Sequence, residues 1–171
     1  MKLDLRHILH APGASVPFDF ELDLSGLEFF GARPITRPVR AQGRVTNRAG
    51  ALQLSGDAST VLDLACDRCR KPFSEEMTVP LDSLLAAELE NEDSQDEYVP
   101  IEDGAVDLDE VVTTAMILQM DMKHLCSPDC KGLCPRCGAD LNLGPCGCKP
   151  EVDPRLAALA QLLDDDARQS E

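Results

Sequence analysis

Apolar and polar residues alternate along the first part of the chain with the period of β-strands. Phe18 to Leu24 reads Phe-Asp-Phe-Glu-Leu-Asp-Leu, which places the phenylalanines and leucines on one face of a strand. Val39 to Thr46 and Ala51 to Ser55 also have strand character, and Asn47 to Gly50 between them has the Asn and Gly that suit a hairpin turn. These segments predict antiparallel strands.

Two further predicted strands flank a pair of cysteines. They are Thr60 to Cys66 and Phe73 to Val79, with Cys66-Asp-Arg-Cys69 on the turn between them. A metal knuckle requires a sharp bend of this kind. The strands together predict an antiparallel sheet or partly closed barrel, and the pattern leaves the strand order open.

Helical periodicity appears at two places farther along the chain. Asp107 and Glu110 have the spacing of a capping box before an apolar run, which predicts an amphipathic helix from about Leu108 to Met120. Asp153-Pro154 has the sequence of an N-cap followed by a first helical residue, and predicts a C-terminal helix.

The expected fold class is α+β, with a few helices and a C-terminal zinc-knuckle module added to the sheet. At 171 residues the chain is long enough for one domain of typical size and a small module. We expect a β-rich domain over residues 1–122, with an acidic loop at about 88–104, and a cysteine-rich zinc module with a helix over residues 123–171.

The net charge of −15 is concentrated in the middle of the chain. From Pro72 to Met122 there are fifteen Asp and Glu and no Lys or Arg, and Glu88 to Glu97 holds six acidic residues in ten. Repulsion favours an extended or disordered loop there. A field of this sign repels phosphate backbones and attracts basic partners.

Eight cysteines are the main candidates for chemistry. They are Cys66, Cys69, Cys126, Cys130, Cys134, Cys137, Cys146 and Cys148. Eight thiolates fill two tetrahedral sites of four. The most economical grouping puts the last four in one site and the first four in another, which would tie the strand turn to the C-terminal module.

The spacing favours zinc over the alternatives. An iron–sulfur cluster also takes four thiolates, but the turn Cys134-Pro-Arg-Cys137-Gly138 is typical of a zinc knuckle. His124 is an alternative ligand in place of one sulfur. Sites made only of cysteine are generally closed, whereas a catalytic zinc keeps an open position. We therefore expect one or two structural Zn²⁺ ions and no enzymatic activity.

The compartment follows from the same cysteines. The chain contains no run of about 18 apolar residues, and charged residues interrupt Met1 to Pro17, so the sequence predicts neither a membrane span nor a signal peptide. Close cysteine spacings in a reducing compartment indicate metal rather than disulfide. The cytoplasm is the expected location.

Three features of the chain occur together: Cys66-Asp-Arg-Cys69-Arg-Lys-Pro-Phe73 after an apolar strand, the acidic middle with its helix, and the module from Leu125 to Cys148 followed by Asp153-Pro-Arg155. Together they resemble the YceD family of large ribosomal RNA subunit accumulation proteins. The resemblance spans about residues 40 to 163. It implies a bacterial, non-enzymatic factor needed for synthesis, processing or stability of the large (23S) ribosomal RNA and for ribosome assembly.

The charge bears on how such a factor would act. A chain at −15 with 4% aromatic residues is poorly suited to binding RNA directly. The exception is a set of arginines in a stretch free of Asp and Glu: Arg33, Arg37, Arg40, Arg44 and Arg48. They either contact phosphate or form a solvated, salt-bridged strand surface. We favour an indirect effect, in which Glu75 to Asp121 contacts a basic ribosomal protein or a pre-large-subunit particle.

Two other functions fit parts of the sequence. In a cytoplasmic zinc or thiol redox sensor, Arg68, Arg70 and Lys71 would lower the pKa of Cys66 and Cys69 and make them reactive. A hydrolase would have to use His7, His10 and His124, for which the chain offers no recognisable nucleophile motif.

Overall fold

The computed structural model describes residues 1–86 and 98–148. Over these residues the chain is mostly sheet, with a few helical turns. In chain order the elements are β1 (Lys2–Asp4), α1 (Arg6–Leu9), β2 (Ser15–Leu22), β3 (Val39–Arg48), β4 (Ala51–Ala65), β5 (Pro72–Ala86), β6 (Tyr98–Pro100), β7 (Ala105–Asp107) and α2 (Leu108–Gln119). No helix within the described ranges is long and apolar enough to span a membrane.

A five-stranded sheet in the order β2-β3-β4-β5-β6 curls into a half-barrel. The first four strands pair antiparallel in sequence order, and β6 pairs parallel with the end of β5. A separate pair is formed by β1 and β7. The expected α+β class with a partly closed antiparallel sheet is confirmed.

One strand is longer than the sequence predicts. Ala51 to Ser55 and Thr60 to Cys66 were expected as separate strands, but β4 runs without a break from Ala51 to Ala65. Ser55-Gly-Asp57 breaks the apolar pattern, yet Gly56 pairs directly with Gly43 of β3. Because β3 and β4 approach each other closely at these glycines, the segment continues the strand despite its composition.

The core lies between the sheet and α2. Side chains from the strands, among them Val45, Leu54 and Leu81, are buried together with Val112 and Met116 of the helix. The N-terminal segment closes the same core, because Leu5 and Ile8 are 0% and 1% exposed. The apolar pattern of the first residues did not predict this contribution.

The predicted amphipathic helix is confirmed as α2, and Asp107 is its N-cap as the sequence predicts. The side chain of Asp107 accepts a hydrogen bond from the backbone N–H of Asp109 at 3.0 Å. Within the range of the expected acidic loop at about 88–104, the short strand β6 forms at Tyr98–Pro100. Its first half and the predicted C-terminal helix lie outside the described residues, and the boundary at residues 122 and 123 stays a prediction.

Asn47 has a larger role than the turn residue that the sequence indicates. It is 1% exposed, and its amide Nδ2 donates to the carbonyl oxygens of Ile8 and Leu9 at 2.7 and 3.0 Å. Its Oδ1 accepts from the backbone N–H of Gly50 at 2.8 Å. One side chain therefore fixes both the hairpin turn and the N-terminal segment.

We expect Asn47→Ala to lower the free energy of unfolding by about 2 kcal/mol, because buried carbonyl groups lose their donor. Urea denaturation followed by circular dichroism measures the change. Gln42→Ala is the control, since Gln42 is an exposed residue whose amide hydrogen-bonds the half-buried Asp57 at 3.2 Å. Equal stability of the two variants would contradict the role assigned to Asn47.

Candidate metal centres

The first cysteine pair lies on the turn that joins β4 to β5, as the sequence predicts. The backbone N–H of Cys66 donates to the carbonyl oxygen of Lys71 at 2.9 Å, and the N–H of Arg70 donates to that of Cys66 at 2.8 Å. Arg70 has a φ of 61°. This tight turn directs Cys66 and Cys69 to the same side.

The second CxxC turn repeats the geometry of the first. The N–H of Cys134 donates to the carbonyl oxygen of Ala139 at 2.8 Å, and the N–H of Gly138 donates to that of Cys134 at 2.9 Å. Gly138 has a φ of 71°, at the position that Arg70 occupies in the first turn. The two turns are therefore the same knuckle, although their sequences share only the cysteines and one arginine.

Backbone hydrogen bonds tie the first turn to the segment that follows α2. The N–H of Asp67 donates to the carbonyl oxygen of His124 at 2.9 Å, and a carboxylate oxygen of Asp67 accepts from the N–H of His124 at 2.7 Å. The Arg68 guanidinium donates to the carbonyl oxygen of Cys130 at 2.7 Å. These contacts bring the second pair of cysteines to the first.

Gly132, two residues after Cys130, allows this segment to lie close to the first turn. The N–H of Leu133 donates to the carbonyl oxygen of Arg68 at 3.1 Å. A Cβ at Gly132 would lie 3.0 Å from that oxygen and 3.2 Å from the Cβ of Arg68, and the φ of Gly132 is 75°. A larger residue would push the two segments apart.

The first cluster consists of Cys66, Cys69, Cys126 and Cys130, whose sulfur atoms all lie within 4.8 Å of one another. The Sγ atoms of Cys66 and Cys130 are 3.7 Å apart, and those of Cys69 and Cys126 are 3.6 Å apart. A disulfide would hold its sulfurs at about 2.05 Å, so all four thiols are free. Three of them are buried, packed against Phe73 and Leu125.

The second cluster consists of Cys134, Cys137, Cys146 and Cys148, with the same mutual limit of 4.8 Å between sulfur atoms. Cys134 is buried, whereas Cys137 is exposed. The structure thus brings the eight cysteines together in the two sets of four that the sequence favours. His124 belongs to neither set. Its backbone N–H donates to a carboxylate oxygen of Asp67.

Both clusters favour bound positive charge. The pKa of Cys66 is lowered to about 6, chiefly because the backbone N–H of Cys126 points at its sulfur. The pKa of Cys134 is also lowered to about 6, chiefly by the N–H of Cys137. In contrast, the neighbouring sulfurs of Cys69 and Cys137 raise the pKa values of Cys126 and Cys148, respectively, to about 12. A cation would relieve this repulsion and allow every thiol to ionise.

Asn142 connects the two clusters, a role that the sequence pattern did not predict. Its Oδ1 accepts from the N–H of Lys131 at 2.8 Å, and its Nδ2 lies 3.5 Å from the sulfur of Cys130 and 2.7 Å from Asp140 Oδ1. Asn142 therefore extends from the second module to a sulfur of the first cluster. Asp140-x-Asn142 has the composition of a local Asx turn, and that was the only signal.

The basic residues near the first knuckle do not act as the redox-sensor alternative requires. Arg68 donates to a carbonyl oxygen of the chain. The main cause of the lowered pKa of Cys66 is a backbone N–H. The arrangement therefore gives that alternative no support.

Arg40, Arg44 and Arg48 recur at every fourth position of β3 and so share one face of the sheet. Arg40 forms a two-pronged ion pair with Asp19, at 2.9 and 3.2 Å. The guanidinium lowers the pKa of Asp19 through this contact. Arg33 and Arg37 precede the strand. At Arg40 the structure favours a salt-bridged strand surface over a free phosphate contact.

Comparisons with known proteins agree on one family. The family model described as large ribosomal RNA subunit accumulation protein YceD matches residues 54–163, which include all eight cysteines. It begins within β4 and leaves the first three strands outside. No solved structure matches the chain.

Curated relatives come from bacteria and plants. The large ribosomal RNA subunit accumulation protein YCED homolog 1, chloroplastic, of Zea mays is 29% identical over 163 residues, covering 76% of this chain and 55% of the relative. An uncharacterized protein of Mycobacterium tuberculosis is 29% identical, covering 70% and 59%. The uncharacterized protein YlbN of Bacillus subtilis is 27% identical, covering 97% and 98%. The chain thus spans between half and three fifths of the length of the first two.

Proposed function

Because the chain belongs to the YceD family, we propose that it is a non-enzymatic factor in the synthesis, processing or stability of the large (23S) ribosomal RNA and in ribosome assembly. The observation that carries the proposal is the family match over residues 54–163. The names of the maize relative and of the family model both refer to accumulation of the large ribosomal RNA subunit.

We propose that each cysteine cluster holds one structural Zn²⁺ ion. Sulfur atoms bound to one Zn²⁺ at about 2.3 Å in a tetrahedron lie about 3.8 Å apart. The observed separations of 3.6 and 3.7 Å in the first cluster agree with this geometry. Thiolates of a four-iron cluster each bind a different iron and must lie farther apart, so the spacing supports a single ion.

Four cysteine ligands also support a structural role over a catalytic one. They fill the tetrahedral shell of zinc and leave no position for a reacting water. The first ion would join the β4–β5 turn to the segment after α2, and the second would hold residues 134–148 together. Free thiols at these spacings fit a reducing compartment, and we place the protein in the cytoplasm.

The partner is proposed to be a basic ribosomal protein or a pre-large-subunit particle. The chain has a net charge of −15 and no Lys or Arg between Pro72 and Met122. It would gain little by binding phosphate directly, whereas a lysine- and arginine-rich protein would be attracted. The effect on RNA would then be indirect.

Depletion of the protein in its own cell is expected to lower the ratio of large-subunit to small-subunit ribosomal RNA. Loss of an accumulation factor exposes unassembled large-subunit RNA to degradation, whereas small-subunit RNA is spared. Gel electrophoresis of total RNA and sedimentation of ribosomal particles measure the ratio. Re-expression of the wild-type chain is the control, and an unchanged ratio after full depletion would contradict the proposed function.

A further inference from the structure

A groove of about 590 Å³ lies between β5, β6 and α2, away from both cysteine clusters in the sequence. Val99 of β6 and Ala115 of α2, both half-buried, contribute apolar surface to it. Two acidic side chains, Asp82 and Glu110, also line it, and its lining contains no Lys or Arg. The groove therefore combines apolar walls with negative charge.

Leu118 makes this groove unusual for a protein surface. Its side chain is 81% exposed although it lines the groove. Glu110, Thr114 and Leu118 follow one another at four-residue spacing on α2, so one face of the helix borders the groove. An isolated exposed leucine is ordinary, but one that continues an apolar groove adds to a surface suited to a partner.

The sheet is also open along this side. Among the described residues, β5 pairs with β4 over Pro72–Leu85, and with β6 only at Leu84–Ala86. Most of β5 therefore has a strand neighbour on one side. Val79 to Ser83, which line the groove, belong to this singly paired part.

Charge decides which occupant fits. A second copy of the chain would bring another −15 into contact with the acidic groove. The chain's own residues 149–171 contain six Asp and Glu against three Lys and Arg, so they are also repelled. A cationic segment is attracted instead, because the groove is lined by the carboxylates of Asp82 and Glu110 and by no Lys or Arg.

We infer that this groove docks a lysine- or arginine-rich segment of a protein partner that also carries large apolar side chains. The inference rests on the proposed function and deepens it, since it gives the basic partner a place on the molecule. Apolar side chains of the segment pack against Val99, Ala115 and Leu118, and its cations face Asp82 and Glu110. Affinity then depends on both classes of contact.

Two fluorescent peptides of equal length and charge test this combination against the full-length, metal-loaded protein. One contains lysine and leucine, and in the other serine replaces each leucine. At physiological salt, fluorescence anisotropy should show about tenfold tighter binding of the leucine peptide. Equal affinities would mean that charge alone attracts the peptide, and would overturn the inference.

A matched pair of variants localises the binding. Leu118→Lys and Leu143→Lys change the net charge equally at side chains that are 81% and 88% exposed, so neither should disturb folding. Leu118→Lys is expected to weaken binding of the leucine peptide about tenfold, and Leu143→Lys by less than about twofold. Equal effects of the two variants would place the peptide elsewhere.

Crosslinking distinguishes the other occupants. With the photoreactive amino acid p-benzoylphenylalanine in place of Leu118, light should link the protein to the leucine peptide. Dominant crosslinks to residues 149–171 of the same chain, or to a second copy, would overturn the inference in favour of those occupants.

The depleted cells separate this inference from the proposed function. Wild type and Leu143→Lys should restore the ribosomal RNA ratio, and Leu118→Lys should not. An unaffected ribosomal RNA ratio after depletion contradicts the proposed function. In that case the peptide-binding experiments alone test whether the groove docks a basic, apolar segment. Full restoration by Leu118→Lys contradicts the groove inference alone.

Discussion

Cys66→Ser is expected to remove one of the two proposed Zn²⁺ ions and to lower the melting temperature by about 10 °C. Cys66 is 0% exposed, and its sulfur lies 3.7 Å from that of Cys130. Serine in its place leaves three thiolates and a hydroxyl that binds zinc poorly. The cluster then loses the ion that offsets the repulsion among its sulfurs.

The expected loss of stability depends on the two segments that the proposed ion would join, the β4–β5 turn and the segment after α2. Structural zinc sites contribute about 10–16 kcal/mol to folding in peptides that have little else to stabilise them. This chain also has a hydrophobic core, so part of the sheet should survive. The loss should be concentrated at the β4–β5 turn and in residues 124–133, and we expect it to be about 3 kcal/mol.

Metal analysis of the purified protein and calorimetric melting measure the two effects. Wild type should contain two equivalents of zinc and Cys66→Ser one. Cys137→Ser is the matched comparison, because it removes a ligand of the other cluster that is exposed, and should lose one equivalent with a smaller fall in melting temperature. Ser127→Ala, an exposed position next to Cys126, controls for a substitution near the first cluster that removes no sulfur. Two equivalents in Cys66→Ser would contradict the proposed metal site.

The sequence predicts the parts of this protein that local pattern controls. Alternation located β2 and β3, and the spacing of Asp107 and the following apolar residues located α2. The two sets of cysteines followed from spacing as well, since a CxxC turn supplies a pair of sulfurs. Both CxxC turns were also predicted as metal knuckles, but the left-handed backbone of the first could not be predicted, because it falls on Arg70 rather than on a glycine.

Contacts between distant parts of the chain account for what the sequence did not show. Leu5 and Ile8 entered the core because β1 pairs with β7, about a hundred residues away. Asn142 could be assigned to the first cluster only once the fold placed its amide 3.5 Å from Cys130. The groove beside Leu118 depends in the same way on how α2 lies against β5.

Gly43→Ala is expected to lower the free energy of unfolding by about 3 kcal/mol, because the sheet has no room for a methyl group there. A Cβ at this position would lie 2.7 Å from the Cα of Gly56 and 2.7 Å from Cζ of Phe18, and would also meet the carbonyl oxygen of Ser55. Carbon atoms in ordinary contact are about 3.5–4.0 Å apart. Two of the obstructing atoms are backbone, so β3 and β4 would have to separate.

Gly26→Ala is the control for this substitution, since a Cβ at Gly26 meets nothing within 4 Å. In the control, the free energy of unfolding measured by urea denaturation should change by less than about 0.5 kcal/mol. Gly43→Ala retains all eight cysteines, so its folded fraction should still contain two equivalents of zinc. Cys66→Ser loses metal and stability together, whereas Gly43→Ala should lose stability alone. A Gly43→Ala protein as stable as wild type would contradict the close approach of β3 and β4 at Gly43 and Gly56.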